Sequence, residues 1–277
     1  MLFVDDDTNY HVLRLPQDAA MWYLVNAFLK LRKQVFVDHK KWDLDTHEDL
    51  EFEQYDHLGT TYLIAEDRNT GEILGGARLL RTDTPSGSGS TRQIDYSYMI
   101  RDAVLGLLPG LPRGICQGTP PRDANIWEVT RMLSLGRTGV AEGMIHTVNQ
   151  YLNAMGARTC LFLGSPAFFR MGRKLGYAPR MLGNIAGNES GRFVAFECDV
   201  IADHSFGEQH KGTKAPVDLT IADHGVAKSH HLTDEDVIAA TTYEWPKTGK
   251  VVTVWFETVR PQDCRVIETQ GYEKCFA

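Results

Sequence analysis

The polarity pattern along the chain predicts an α/β fold with a mixed central sheet. Two strand-like runs, residues 60–65 and 73–80, flank a turn signal at Asn69, Thr70 and Gly71, which predicts an antiparallel hairpin in the front half. From residue 126 to 200 the pattern alternates strand, helix, strand, helix, strand, the order of βαβ-like crossovers. A Gly- and Pro-rich stretch separates the two halves.

Residues 18–38 read as a helix, because Met21, Leu24, Val25, Phe28, Leu29, Leu31 and Val35 form an apolar stripe at helical spacing. Residues 39–56 are too polar and irregular for a core element, so they are expected to form a site loop. After the hairpin, residues 83–91 are a Gly/Ser loop, and the chain up to about residue 125 surrounds an apolar patch at 103–111. Residues 126–133 return to a strand. Residues 139–155 form the next helix, with Met144, Ile145, Val148, Leu152 and Met155 on one face and Gly156 as its stop. Residues 159–163 are a buried strand. Ser165 and Pro166 then start a helix, one as N-cap and the other at the first helical position, and it ends at Gly176. Residues 192–200 give a further strand.

Beyond residue 203 the character changes. Residues 204–231 are polar and histidine-rich, 233–240 read as a short capped helix, and 251–259 as a strand. The expected division is one domain over 1–203 and a C-terminal extension over 204–277, as a small α/β subdomain or a sheet addition. No internal repeat is present.

The 277 residues can bury a substantial core. A balance of 29 basic against 36 acidic residues argues against a general nucleic-acid binder. No apolar run approaches the roughly 20 residues needed to span a bilayer, so no membrane association is expected. The start, with Asp5, Asp6 and Asp7, lacks the basic and apolar regions of a signal peptide. Cys116, Cys160, Cys198, Cys264 and Cys275 form no CxxC pair and are odd in number, which predicts a reduced, cytoplasmic protein.

One constellation carries chemistry. Arg32, Phe36 and Trp42 are followed by Glu51, Glu53 and Asp56, and far downstream by Trp127, Glu128, Val129, Thr130 and Arg131. Singly, Phe36 and Trp42 read as core residues and the acids as a solvated run. As a set, at spacings no structural period requires, they suit a small zwitterionic cation. A guanidinium can clamp its carboxylate, aromatic faces its positive centre and carboxylates its amine. Glu128 and Arg131, three apart on a strand, point to opposite faces unless a β-bulge intervenes. A cross-strand ion pair is the plainer alternative for them.

These residues carry a resemblance. The chain resembles the acyl-homoserine-lactone synthases, the bacterial autoinducer synthases. The family's Arg-x3-Phe-x5-Trp element stands as Arg32, Phe36 and Trp42. Its acidic element matches Glu51, Phe52, Glu53, Gln54, Tyr55 and Asp56, with Glu53 in place of the family's aspartate. Its strand arginine matches Arg78, its Trp-Glu-x-Ser/Thr-Arg motif residues 127–131, and its later Ser/Thr Ser165, eleven residues before Gly176 and Tyr177. These anchors cover roughly residues 20–180.

The resemblance implies an acetyltransferase-like αβα sandwich. It implies S-adenosylmethionine and an acyl thioester, on acyl carrier protein or coenzyme A, as substrates, with no tightly bound cofactor and no metal. Glu128 and Arg131 would be catalytic, Glu128 as base. Arg32, Phe36, Trp42, Glu51, Glu53, Asp56 and Arg78 would bind S-adenosylmethionine. Met132, Phe162, Ser165 and Phe168 would meet the acyl chain, with Met144, Leu161, Leu163 and Phe169 as further candidates. The basic cluster Arg170, Arg173, Lys174 and Arg180 offers docking to an acidic carrier, and a solvated helix face is its other reading. Two other functions are an N-acyltransferase that does not lactonise and a silent member that binds ligand or partner. The intact Glu128 and Arg131 argue against the silent reading. Weaker signals are the Gly183–Gly191 stretch, which lacks a dinucleotide-binding context, and His224, His230 and His231, which complete no metal spacing.

Overall fold

The computed structural model describes residues 7–15, 17–57, 59–86, 88–89, 94–108, 110–188, 191–202, 237–245 and 250–259. Eight strands form one sheet: β1 (Thr8–Arg14), β2 (Thr61–Asp67), β3 (Ile73–Arg81), β4 (Ile126–Ser134), β5 (Thr159–Gly164), β6 (Arg180–Met181), β7 (Ala186–Asn188) and β8 (Gly191–Asp199). The order is β1-β2-β3-β4-β5-β8-β6, with β7 paired to β8. Four α-helices accompany it: α1 (Trp22–Arg32), α2 (Met99–Val104), α3 (Val140–Ala154) and α4 (Pro166–Lys174).

The expected hairpin is β2–β3, and its turn follows from its residues. Asp67 accepts from the amides of Asn69 (2.8 Å) and Thr70 (2.9 Å), and Gly71 takes φ +73°. Ser165 caps α4, as its hydroxyl accepts from Phe168 N. The rear half needs one correction. The crossover β4–α3–β5 is parallel, but β5 and β8 run antiparallel, because the chain passes through β6 and β7 before entering β8. A second correction concerns 233–240, read as a helix. Its described part belongs to the strand Val237–Trp245, which pairs antiparallel with Lys250–Val259 as a separate two-stranded sheet. Thr241, Thr242, Tyr243 and Trp245 are β-branched or aromatic, and that propensity prevails over the capping signal.

Helices cover both faces of the main sheet, giving the αβα sandwich with a mixed sheet. Leu63, Leu79, Val129, Phe162 and Phe196 pack with α3 residues such as Met144, Val148 and Leu152. On the other face Tyr62, Ile64 and Leu133 pack with Leu24, Phe28 and Leu29 of α1. A Cβ on Gly76 would meet the Phe28 ring at 2.6 Å and Leu63 O at 2.8 Å, so only glycine lets α1 dock this closely. Further along, Tyr98, Ile100 and Ala103 at α2 pack with Leu161 and Ala195.

Two irregularities make room at the middle of the sheet. The β4–β5 ladder ends at the pair Val129 and Phe162, although β4 runs on to Ser134 and β5 to Gly164. The β3–β4 register shifts between Gly76, opposite Leu133, and Arg78, opposite Thr130. Arg131 and Met132 thus stand opposite Ala77 alone, and Arg131 takes φ +53°. This is the β-bulge that the Glu128 and Arg131 spacing required.

Candidate active site

At Arg32 the α-helix widens into a π-helical turn, Lys33–His39, a rare geometry that is frequent at functional sites. The turn carries Phe36 into the core, and Trp42 N donates to Phe36 O (2.9 Å) just beyond it. The two rings stack with centroids 5.0 Å apart and planes 9° from parallel. Trp42 also meets Phe193 of β8 edge-on at 6.1 Å. The Lys40 ammonium lies 5.2 Å from the Phe36 centroid and 5.0 Å from that of Trp42, and the Arg131 guanidinium carbon 6.0 Å from Phe36. The aromatic pair therefore attracts cations in this fold, as ring quadrupoles do.

Beside it three arginines interlock with three acids. Arg32 holds Asp56 with both Nη atoms (2.7 and 3.0 Å), and its Nε donates to Glu51. Arg78 reaches Asp56 (3.1 Å), Glu53 (2.7 Å) and the Thr130 hydroxyl (3.2 Å). Arg131 reaches Glu51 (3.1 Å) and Glu53 (3.0 Å). Arg32 and Arg78 are fully buried. The Arg32 guanidinium expected to clamp a ligand carboxylate instead clamps two protein carboxylates, because Glu51 and Asp56 take both of its edges. Glu53, the longer acid at the family's aspartate position, gives one oxygen to Arg78 and the other to Arg131.

Burial alone would raise the Asp56 carboxyl, but Arg32 and then Arg78 hold it well below its ordinary value. A carboxyl lowered on folding stabilises the protein above its unfolded value and loses that contribution as pH falls. Acid unfolding followed by circular dichroism is expected to show stability falling as pH drops below about 4, and the Asp56→Asn variant to lose that dependence.

Glu128 lies on β4 beside this network and is fully buried. Its two oxygens accept from Met99 N (3.0 Å) and Ile100 N (2.7 Å) at the start of α2. Burial raises its pKa to about 7, against the lowering by those two N–H bonds and by Arg78. A carboxyl poised there suits a general base at neutral pH. Through the bulge Arg131 turns to the same region, its Nη1 lying 3.7 Å from Met99 Sδ.

On the opposite face of the sheet, α3, α4 and β8 border a small apolar cavity of about 20 Å³ lined by Ile145, Val148, Leu152, Phe162, Phe168 and Phe196. Phe162 and Phe168 both border this space. Met132, half-buried, packs against the same core without lining the space. Ser165 is exposed, its hydroxyl committed to the α4 cap. Leu161 and Leu163 pack on the α2 side, and Met144 and Phe169 in the α3 core.

With this geometry in view, residues 23–134 match the family model described as autoinducer synthase. This front part of the chain is thus similar to that family. An acyl-homoserine-lactone synthase of Acinetobacter nosocomialis is 32% identical over 108 residues, 39% of this chain and 48% of that relative. One of Aeromonas salmonicida is 28% identical over 173 residues, 59% of this chain and 73% of the relative. The chain thus spans less than half of the first relative and nearly three quarters of the second. In fold it is similar to BjaI, a CoA-dependent acyl-homoserine lactone synthase solved with MTA. The TM-score is 0.60 and the identity 19%, over 73% of this chain and 88% of that one.

The autoinducer synthase match takes in the whole polar site but stops at Ser134, before α3 and α4. On α4, Arg170, Arg173 and Lys174 are exposed. Arg180 leaves the expected cluster, because it pairs with Glu197 (2.9 Å) and Asp199 (2.6 Å) across β8. The sequence reading missed Met99, Ile100 and Phe193. Phe193 needed the fold, since it meets Trp42 across some 150 positions. Among the described residues no helix is long and apolar enough to cross a membrane. His224, His230 and His231 lie outside the described residues.

Proposed function

We propose that the chain is an acyl-homoserine-lactone synthase, acylating the amine of S-adenosylmethionine from an acyl thioester and lactonising the product with release of methylthioadenosine. The observation that carries this reading is the position of Glu128. A fully buried carboxylate, raised by burial to a pKa of about 7 and held by two backbone N–H groups, stands on β4 one pair before the β4–β5 ladder ends.

The sulfonium displaces Lys40 from Phe36 and Trp42. The Arg32, Arg78 and Arg131 network with Glu51, Glu53 and Asp56 keeps the walls fixed. The acyl chain enters the cavity along Phe162 and Phe168, with Met132 and Ser165 nearer its carbonyl end, so the thioester lies in the gap beyond Val129. Glu128 takes the ammonium proton, and the freed amine attacks the thioester carbonyl. Backbone N–H groups at the bulge hold the oxyanion, and as the carbonyl re-forms the thiolate leaves and takes up the second proton of the attacking nitrogen, giving the amide and a free thiol. The ligand carboxylate then attacks its own γ-carbon. The breaking C–S bond gives its electron pair to the sulfonium sulfur, which departs as methylthioadenosine. That step needs positioning above all, since nucleophile and leaving group share one molecule.

The test is incubation of pure protein with S-adenosylmethionine and acyl thioesters of several lengths, following methylthioadenosine and lactone. Acyl amide without lactone would replace this reading with the plain N-acyltransferase. Absence of turnover with every donor would leave a silent binding member. The reading places the enzyme in the cytoplasm, with residues 1–203 as the catalytic domain and 204–277 as an extension.

Two further outcomes are expected. Trp42→Ala should raise KM for S-adenosylmethionine about 5- to 30-fold, the equivalent of ~1–2 kcal/mol of cation–π attraction, and unchanged KM would end the sulfonium assignment. Reversing the charge of Arg170, Arg173 and Lys174 together should raise KM for acyl carrier protein donors and leave acyl-coenzyme A donors unaffected, because only the carrier is an acidic protein surface. Equal effects on both donors would remove α4 as the docking face.

A further inference from the structure

Three features of the polar side remain outside that mechanism: Tyr55, Asp102 and the short helix α2. Asp102 lies in the first turn of α2, three residues after Met99. Its Oδ2 accepts from the Tyr55 hydroxyl (2.7 Å) and from Ser97 N (2.9 Å), so it ties α2 to the segment that precedes it. Its Oδ1 is buried without a hydrogen-bond partner. The Tyr55 ring lies 5.2 Å under the Arg78 guanidinium, which joins the pair to the ion network. The same turn of α2 delivers the Met99 and Ile100 amides to Glu128.

We infer that Asp102, held by the Tyr55 hydroxyl, is the positioning residue for Glu128: it fixes the α2 start that grips this carboxylate, and its charge opposes ionisation of Glu128. The inference rests on Glu128 acting as the base of the proposed reaction. A helix of six residues has little stability of its own, so its N–H pair stays aimed only if side chains anchor it. Asp102 and Tyr55 supply that anchor from two elements.

The charge argument depends on what else faces Glu128. Arg78 on β3 favours its charged form and Asp102 opposes it. Tyr98 ahead of α2, Cys116 and Cys160 of β5 also face it, and burial pushes each of them up, Cys116 to about 11, so they stay neutral near pH 7. Burial likewise raises Asp102, and its bare oxygen leaves part of the charge unsupported. Among these neighbours Asp102 is the carboxyl, and it faces Glu128 from the helix that grips it.

The experiment is a carboxyl-carbon NMR titration of glutamate-labelled protein, with the Glu128 signal assigned by its loss in Glu128→Gln. It is run on the wild type, Asp102→Asn and Tyr55→Phe, beside pH profiles of kcat/KM. In Asp102→Asn the Glu128 midpoint should fall by roughly half a pH unit or more, and the acid limb of the profile should move with it. Tyr55→Phe keeps the ring under Arg78 but removes the donor, which favours protonated Asp102 and should move the midpoint the same way. Lower kcat with both the midpoint and the limb unmoved would overturn the inference and leave Asp102 a structural residue. If Asp102→Asn does not fold, Tyr55→Phe decides by the same measurement. A wild type that releases no methylthioadenosine would sink the proposed function, while the titration would still decide the Asp102 coupling.

Discussion

Glu128→Gln is expected to lower lactone formation about 10²- to 10⁴-fold, the range that a positioned general base contributes. The amide cannot take the proton of the incoming ammonium. It also presents an N–H₂ to one of the two backbone N–H groups, where the carboxylate accepted from both. The pH dependence carries a sign that can be checked independently. In the proposed reaction the active form of Glu128 is deprotonated, so wild-type kcat/KM should fall as pH drops below about 7, the value to which burial raises this group. The residual rate of Glu128→Gln should lack that acid limb. Glu128→Asp keeps the acid but draws it back by one methylene, so its rate should lie between the two. Activity within about tenfold of the wild type in Glu128→Gln, with the acid limb intact, would assign the base elsewhere.

The second large effect is on stability. Asp56 is shared between Arg32 and Arg78, both fully buried. Truncation in Asp56→Ala leaves two guanidinium groups each short of a countercharge, in a place where water cannot replace it. Breaking a buried pair in this way costs about 3–5 kcal/mol, which for a chain of this size lowers Tm by roughly 10 °C. The control is Asp49→Ala. Asp49 pairs with Lys30 at 2.8 Å, but both side chains are about half exposed or more, and its loss should leave Tm unchanged. Equal melting of the two variants would show that the network contributes no stability and serves ligand geometry alone. Differential scanning calorimetry at pH 7 decides between these outcomes.

The rear crossover and the hairpin were legible in the sequence because their signals are local. Ser165 with Pro166 marks a helix start, and Asn69, Thr70 and Gly71 mark a turn. The bulge at Arg131 was legible in another way: Glu128 and Arg131 could share a site only if the strand broke its alternation, and it does. What stayed hidden was non-local or too short. The six residues of α2 span less than two turns, so no period can be read from them, and the grip of Met99 and Ile100 on Glu128 went unseen. Strand β1 was missed as well, since its seven residues acquire their role only from pairing with β2. Arg32 shows a further limit. Its residue type fits a ligand carboxylate, and only the fold reveals that Glu51 and Asp56 already occupy it.

In the proposed reaction, the sheet around the ladder that stops at Val129 and Phe162 divides the tasks between two sides of one wall. Charge lies on the α1 and α2 side, and the apolar space on the α3 and α4 side. Groups that share no partner contribute independently. If the proposed function holds, substitutions at Val148 or Phe168 should retune which acyl tail is accepted without disturbing how the charged substrate is seated.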